Sequence, residues 1–150
     1  MTNVEVTGGA VARFSRREIA EFVRKVLIAL DHLHRINAEI SEVSIAIVDD
    51  EAMRNLNRKF RRKNKTTDVL TFPADESDAD PHAQGRPLGD IVISVDQARR
   101  QAAEQKHSLA TEIRYLILHG TLHALGYDHE TDEGEMNALE VEVRSKVGLD

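Results

Sequence analysis

The 150-residue sequence predicts a single α+β domain over residues 1–150, in which a small mixed β-sheet of about four strands is covered by about five helices. The length suits one domain, and 41% hydrophobic and 31% charged residues are ordinary values for a globular protein. Apolar residues recur with strand or helix spacing in the order β-α-β-α-β-β-α-α-α. The order of the strands within the sheet stays open.

The first strand and helix are marked by alternation and by a capping motif. Val4–Val6 alternates with polar residues and predicts a short strand. Ser15 and Glu18 have the spacing of a capping box, which satisfies backbone amides at the start of a helix. The apolar residues that follow keep helical spacing as far as Leu33, so a long amphipathic helix is expected.

The second strand and helix follow directly. Residues 42–48 (EVSIAIV) form a short run rich in β-branched side chains, which favours a buried strand. Asp49 is placed as the N-cap of the next helix. Met53, Leu56 and Phe60 are expected to form the inward stripe of this helix, with its arginines and lysines facing outward.

The second half of the chain contains two predicted strands and three predicted helices. Residues 68–73 and 89–95 predict the strands, and residues 74–88 predict a long loop between them. The first of the three helices follows the second strand and ends at about Lys106. The second is expected from the N-cap Ser108 to Gly126, and the third from Met136 to Gly148.

The composition excludes several classes of protein. The chain contains no Cys, so disulfides, iron–sulfur clusters, cysteine-ligated zinc and thiol catalysis are ruled out. No apolar run reaches the ~18 residues of a membrane span, and no signal-peptide pattern follows Met1. We therefore expect a cytoplasmic protein with no membrane partner.

Charge is distributed unevenly along the chain. The formal net charge of −6 by itself argues against a nucleic-acid partner. However, seven basic residues and no acid lie between Ala52 and Thr67, and the remaining 13 basic and 26 acidic residues carry −13. The seven are Arg54, Arg58, Lys59, Arg61, Arg62, Lys63 and Lys65. Residues 128–142 form an acidic counterpart, and either run could also be a solvated helix face.

Three histidines have the spacing of metal ligands. His119 and His123 are four residues apart on a predicted helix, so both imidazoles leave the same face. Gly126 lets the chain turn back, which can bring His129 to the same point. One Zn²⁺ held by three histidines keeps a fourth position for water, as in catalytic sites, whereas a lone helical histidine is more often a core residue. The other histidines are interpreted as surface residues: His32, His34, His82 and His107.

Neighbouring residues offer further chemistry to such a site. Asp128 could orient a ligand or act on the bound water, and it could equally be a turn-forming residue. Tyr127 could donate to a developing oxyanion, although packing against the helix is the favoured role. Arg61 could hold a phosphodiester, because guanidinium binds phosphate oxygens bidentately. The predicted catalytic residues are therefore Arg61, His119 and Asp128.

The spacing HxxxHxxGxxH is shared with the metzincin proteases, in which a glutamate after the first histidine is the general base. Here Gly120 occupies that position. A metzincin-like metalloprotease stays possible only if another carboxylate, such as Asp128, reaches the bound water.

Four longer segments are distinctive: HGTLHALGYDH (119–129), LNRKFRRKNKTTDVLTFP (56–73), LGDIVIS (88–94) and MNALEVEV (136–143). In these segments the chain resembles the YbeY-type rRNA maturation endoribonucleases of bacteria. The resemblance covers most of the chain from about residue 42 onward. Thr66 and Thr71 stand where the family commonly has proline and serine.

The resemblance implies a single α+β domain in which His119, His123 and His129 hold zinc and Arg61 lies in a basic channel leading to the metal. It implies a single-strand-specific endoribonuclease that matures the 3′ end of small-subunit (16S) rRNA and takes part in ribosome quality control. The implied partners are rRNA, the small ribosomal subunit, an Era-type GTPase and a PhoH-like ATPase. A ribosome-assembly factor with a structural metal and no cleavage of its own remains an alternative.

Overall fold

The computed structural model describes residues 2–36, 39–75, 85–128 and 130–149, and within those ranges it contains four strands and five helices in the predicted order. The strands are β1 (Asn3–Gly8), β2 (Ile40–Val48), β3 (Val69–Pro73) and β4 (Arg86–Ser94). The helices are α1 (Arg16–His32), α2 (Asp50–Arg61), α3 (Val95–Gln105), α4 (Leu109–Ala124) and α5 (Glu135–Val147). The α+β class with a small mixed sheet is confirmed.

The sheet has the strand order β1-β2-β4-β3. β1 pairs with β2 and β2 pairs with β4 in parallel, whereas β3 runs antiparallel to β4 with Val69 opposite Ile93. β3 is therefore an edge strand, which is where a strand that ends at a proline is tolerated, because Pro73 cannot donate to a ladder. Residues of β3 also line the candidate site.

Alternation along the strands divides the apolar side chains between two faces of unequal size. On one face Ile45, Ile91 and Ile93 are fully buried in the main core, together with side chains of α1, α4 and α5. On the other face a small cluster of Met53, Leu70 and Val92 packs beneath α2. Because side chains of successive strand residues point to opposite faces, the two cores are built from neighbouring positions of the same strands.

The predicted helix caps are confirmed. Ser15 and Glu18 form a complete capping box, and the side chains of Asp49 and Ser108 accept hydrogen bonds from the third residue beyond them. Gly126 follows the C-cap of α4 with φ of +103°, a left-handed conformation that glycine adopts without strain. The amide of Gly126 donates to the carbonyl of His123, and the next amide donates to that of Leu122. This is a Schellman motif, and it turns the chain sharply at the end of the histidine helix.

Two expectations from the sequence are wrong: the first residue of β4 and the inward position of Phe60 on α2. β4 begins at Arg86 rather than at residue 89, because the amide of Arg86 donates to the carbonyl of Glu39 and continues the ladder alongside β2. Residues 76–84 of the predicted loop lie outside the described residues. Phe60 does not face inward: its side chain is 55% exposed, and Asn57 is buried in its place. Phe60 packs instead on Phe72, with ring centroids 5.1 Å apart.

The surface prediction for His107 is also wrong. Its Nε2 lies 2.7 Å from Oε1 of the buried Glu112, and its ring stacks on Tyr115. His32 and His34 are exposed as expected, and His82 lies outside the described residues. Within the described ranges, no helix combines the length and apolar character that crossing a bilayer requires.

Candidate functional site

His119 and His123 lie one turn apart on α4 and direct the same ring atom to a common point. Their Nε2 atoms are 3.0 Å apart, and the two rings meet nearly edge to face at 77°. Both side chains are partly buried, which gives them fixed orientations and access to solvent on one side. The predicted convergence of these two imidazoles is therefore present in the fold.

This geometry fits two ligands of one metal ion. Two nitrogens about 2.0–2.1 Å from a tetrahedral Zn²⁺ are about 3.3–3.4 Å apart, close to the 3.0 Å separation of the Nε2 atoms. His129, the third predicted ligand, lies outside the described residues. Within the described part of the chain, no three His, Cys, Asp or Glu side chains form a group that could hold a metal ion. The complete ligand set thus stays a prediction that includes His129.

Glu140 on α5 contacts the opposite side of His119. Its Oε1 lies 3.4 Å from Nδ1 of His119, and the residue is only 9% exposed. A proton on Nδ1 can be donated to this carboxylate, which leaves the lone pair of Nε2 directed towards His123. Carboxylates in this position commonly orient metal-bound histidines. The position of Glu140 therefore favours the tautomer of His119 with the proton on Nδ1, the one that a metal ligand needs.

The environment of Glu140 favours its charged form. Burial acts to raise the pKa of Glu140, but the hydrogen bond from His119 and, when that imidazole is protonated, its charge oppose it, and the charge of Arg144 adds to that effect. The balance places the pKa of Glu140 below its ordinary value. Arg144 lies 4.0 Å from Oε1 of Glu140 and stacks over the ring of Tyr115, which holds the guanidinium near the carboxylate.

Arg61 and the two histidines line a common cleft of about 480 Å³. The basic side of the cleft contains Arg61, Lys63 and Lys65, and the other side contains His119 and His123. Residues 69–71 of the edge strand β3 line the cleft between the two sides. The seven basic residues of the 52–67 segment are all exposed, so their charges are available to a solvent-borne anion. The structure thus brings the predicted arginine and the two described histidines into one cavity.

Two buried or half-buried polar groups hold the basic segment in place. Asn57, 2% exposed, donates from Nδ2 to the carbonyl of Lys65 at 2.9 Å. Oδ1 of Asp50 accepts hydrogen bonds from Thr66 and Ser94, each at 3.0 Å. A salt bridge of 2.8 Å joins Asp50 to Arg100, and the hydrogen bond from Arg100 is the main reason that the pKa of Asp50 is lowered. The basic loop is consequently tied to the last turns of α2 through Asn57 and to the first turn of α2 through Asp50, which Ser94 links to β4.

Asp128 and Tyr127 also line the cleft, beyond the end of α4. Oδ1 of Asp128 accepts a hydrogen bond from the amide of Glu130 at 3.0 Å, which is the turn-forming role. The exposed carboxylate still borders the cavity, so its predicted action on bound water stays a prediction. Tyr127 packs against the main core, the role that the sequence favoured.

Gly120 faces the sheet rather than the cleft. A Cβ atom at this position would lie 2.7 Å from Cγ2 of Ile91, a residue that is fully buried. α4 therefore packs on the sheet at a distance that only glycine allows. A glutamate at position 120, the general base of the metzincin arrangement, would point into the core and could not reach the histidines.

Three contributors to the site were missed by reading the sequence: Glu140, Asn57 and Asp50. For Glu140 the spacing along the sequence gives an indication of burial. It lies four residues after Met136 and three before Val143, both core residues of α5, and therefore on the buried face of that helix. A carboxylate on the apolar stripe of a helix requires a partner, because burying an unpaired charge is costly. Asn57 shows the same signal four residues after Met53. Asp50 carries no such signal, because its partners are distant in sequence.

A match over nearly the whole chain decides the family. Residues 8–148 match the model described as Endoribonuclease YbeY. This chain belongs to the YbeY family. The resemblance inferred from the four sequence segments is thereby confirmed.

Individual relatives cover most of the chain. The Endoribonuclease YbeY of Nautilia profundicola is 52% identical over 108 residues, which are 72% of this chain and 73% of the relative. That of Moorella thermoacetica is 42% identical over 139 residues, 88% of each chain. The solution structure of TM1509 from Thermotoga maritima matches with a TM-score of 0.58 and 23% identity, covering 96% of this chain and 88% of that one. At that identity the structural match supports the fold alone.

Proposed function

We propose that this protein is a zinc-dependent endoribonuclease that cleaves single-stranded RNA. The observation that carries the proposal is the cleft in which two converging imidazoles face an exposed arginine and two lysines. A hard anion such as a phosphodiester suits the basic side, and the relatives carry the name endoribonuclease. The histidines and the basic residues of the cleft would thus both contribute to the cleavage of RNA.

The ligands assigned to the metal are His119, His123 and His129. When bound, a Zn²⁺ ion with three histidine ligands supplies Lewis acidity and a water whose pKa is lowered to about 7. Glu140 is proposed to keep the proton of His119 on Nδ1, so that the lone pair of Nε2 is directed towards the metal position.

Arg61 binds and orients the RNA backbone. Its guanidinium can donate two hydrogen bonds to the non-bridging oxygens of one phosphate and stabilise the extra negative charge that develops there on hydrolysis. Lys63 and Lys65 line the same side of the cleft and add attraction that does not depend on sequence. Asp128 also lines the cavity and is proposed to accept a proton from the attacking water.

For the biological substrate we propose a precursor of small-subunit rRNA, cleaved near the 3′ end of 16S rRNA in the cytoplasm. This follows the family resemblance rather than any contact in the structure. The small ribosomal subunit, an Era-type GTPase and a PhoH-like ATPase are the proposed partners. Co-purification of the tagged chain with 30S particles or with either partner would test this assignment.

The proposal is tested by metal removal and restoration. The purified chain is stripped with a chelator, and circular dichroism and cleavage of a labelled single-stranded RNA are measured before and after one equivalent of Zn²⁺ is returned. We expect cleavage to disappear and return with the ion, with a matching RNA duplex cleaved poorly. If the ion restores the native spectrum and no cleavage appears, the protein is an assembly factor with a structural metal. If a peptide substrate is cleaved instead, the protease alternative is correct.

A further inference from the structure

Phe60 is an exposed aromatic ring in the middle of the basic segment. The described residues include three large apolar side chains with high exposure: Ile28 at 57%, Phe60 at 55% and Val141 at 48%. Of these, only Phe60 lies within the segment of seven basic residues. Because burying a ring of this size is favourable, its exposure beside the cleft suggests a surface that is covered when substrate binds.

The ring is held in position by its neighbours. It packs on Phe72 with ring centroids 5.1 Å apart and an interplanar angle of 71°. Nζ of Lys59 lies 5.3 Å from the ring centroid of Phe60. Phe72 is itself half-buried on β3 and packs against the small core beneath α2. The exposed ring therefore rests on a fixed support and is not a freely moving surface side chain.

Phe60 is the chain neighbour of a residue that lines the cleft. Arg61 lines the cavity, as do Thr71 and Pro73, the residues on either side of Phe72. Adjacent Cα atoms are about 3.8 Å apart, so the backbone of Phe60 lies next to that of Arg61. A nucleotide adjacent to a phosphate held by Arg61 is therefore within reach of the exposed ring.

We propose that Phe60 is a stacking platform for an unpaired nucleobase next to the phosphate held by Arg61. This inference rests on the proposed function and extends it to a specific subsite. Proteins bind single-stranded nucleic acid with aromatic rings next to basic side chains. The bases stack on the rings, and the basic side chains bind the phosphate backbone. A base inside a duplex is already stacked and paired, so this platform gives a physical reason for preferring single strands.

The positive charge around Phe60 favours a nucleobase of a nucleic acid over a protein surface as the ligand of the ring. The neighbouring exposed side chains include Lys59, Arg61 and Arg62, which complement a polyanion. The apolar area is a single ring, whereas protein interfaces of stable complexes bury about 800 Å² on each partner. A nucleobase is the ligand that matches one ring in a cationic setting.

The test uses a single-stranded RNA that carries 2-aminopurine, a base whose fluorescence is quenched by stacking. The zinc-loaded full chain is mixed with this RNA in a stopped-flow instrument, so that binding is recorded before cleavage. Phe60→Leu keeps apolar contact with Phe72 and removes the aromatic face, whereas Phe60→Tyr retains it. Ile28→Ala is the matched control, an exposed apolar residue on α1 outside the basic segment. Thermal unfolding of each variant establishes that it is folded.

We expect quenching by the wild type, Phe60→Tyr and Ile28→Ala, and loss of quenching with roughly tenfold weaker binding for Phe60→Leu. Equal quenching by Phe60→Leu and the wild type would overturn the platform, as would RNA binding by the wild type without any quenching. In both cases RNA cleavage would still support the proposed function. A wild type that neither binds nor cleaves RNA would refute the proposed function and the platform together. A change in oligomeric state of Phe60→Leu without a change in quenching would assign the ring to a protein contact.

Discussion

The two sides of the cleft are built in different ways. The histidine side belongs to α4, whose residues are largely buried, and His119 is supported from behind by the buried Glu140. The basic side is an exposed loop held by the hydrogen bonds of Asn57 and Asp50. Chemistry requires atoms placed to a fraction of an ångström, whereas electrostatic attraction tolerates movement. We infer that the histidine side determines the rate of the chemical step and the basic side determines affinity and its dependence on salt.

The largest effect is expected from His119→Ala. Loss of this ligand removes metal-assisted stabilisation of several kcal/mol, so cleavage of single-stranded RNA should fall by about 10³-fold. His32→Ala, an exposed histidine at the end of α1, should cleave like the wild type. Bound zinc and initial cleavage rates are measured on the same samples. Unchanged cleavage by His119→Ala would assign the activity to a contaminating nuclease.

Arg61→Ala tests the basic side, with Arg54→Ala as the matched control on the same helix. Hydrogen bonds to charged groups contribute about 1.5–3 kcal/mol, so cleavage should fall by roughly 10- to 100-fold. The slope of log affinity against log salt should decrease by about one for Arg61→Ala. Zinc content should stay that of the wild type. A loss of zinc from Arg61→Ala would show that the two sides are not independent.

Glu140→Gln tests the support of the histidine side. Without a carboxylate to accept the Nδ1 proton, metal affinity or activity should fall by about 10- to 100-fold, while RNA affinity and its salt dependence stay unchanged. The ¹⁵N chemical shifts of His119 should report a mixed tautomer, which a loss of packing alone would not produce. Glu142→Gln, at an exposed position of α5, is the control. Normal zinc affinity in Glu140→Gln would remove Glu140 from the site.

The smallest effect is expected from Asp50→Asn, and it depends on pH. The pKa of folded Asp50 is lowered below that of the unfolded chain, so its contribution to stability is present at neutral pH and is lost as the pH falls through the folded pKa. The free energy of unfolding of the variant should be about 1 kcal/mol lower than that of the wild type at pH 7. This difference in the free energy of unfolding should shrink below about pH 4. Urea unfolding across this range provides the measurement. Asp31→Asn, at an exposed position of α1, is the control. A difference that stays constant with pH would contradict this role of Asp50.

Local motifs were readable because their partners are close in sequence. The capping box at Ser15, the N-caps Asp49 and Ser108, and the glycine turn at Gly126 each connect residues at most a few positions apart. The convergence of His119 and His123 is of the same kind, because one helical turn separates them. In contrast, β4 started earlier than its apolar pattern indicated, since its first residues are held by β2.

The sequence by itself therefore determined the element order, the α+β class, the histidine pair and the presence of a basic segment, all of which follow from spacing along the chain. Only the tertiary structure decided that β3 is an edge strand, that Arg61 lines one cleft with the histidines, that Glu140 contacts His119 and that Phe60 is exposed. These are contacts between segments up to dozens of residues apart, and they depend on how helices pack on a sheet. Neither periodicity nor charge counting carries that information, because both describe one segment at a time.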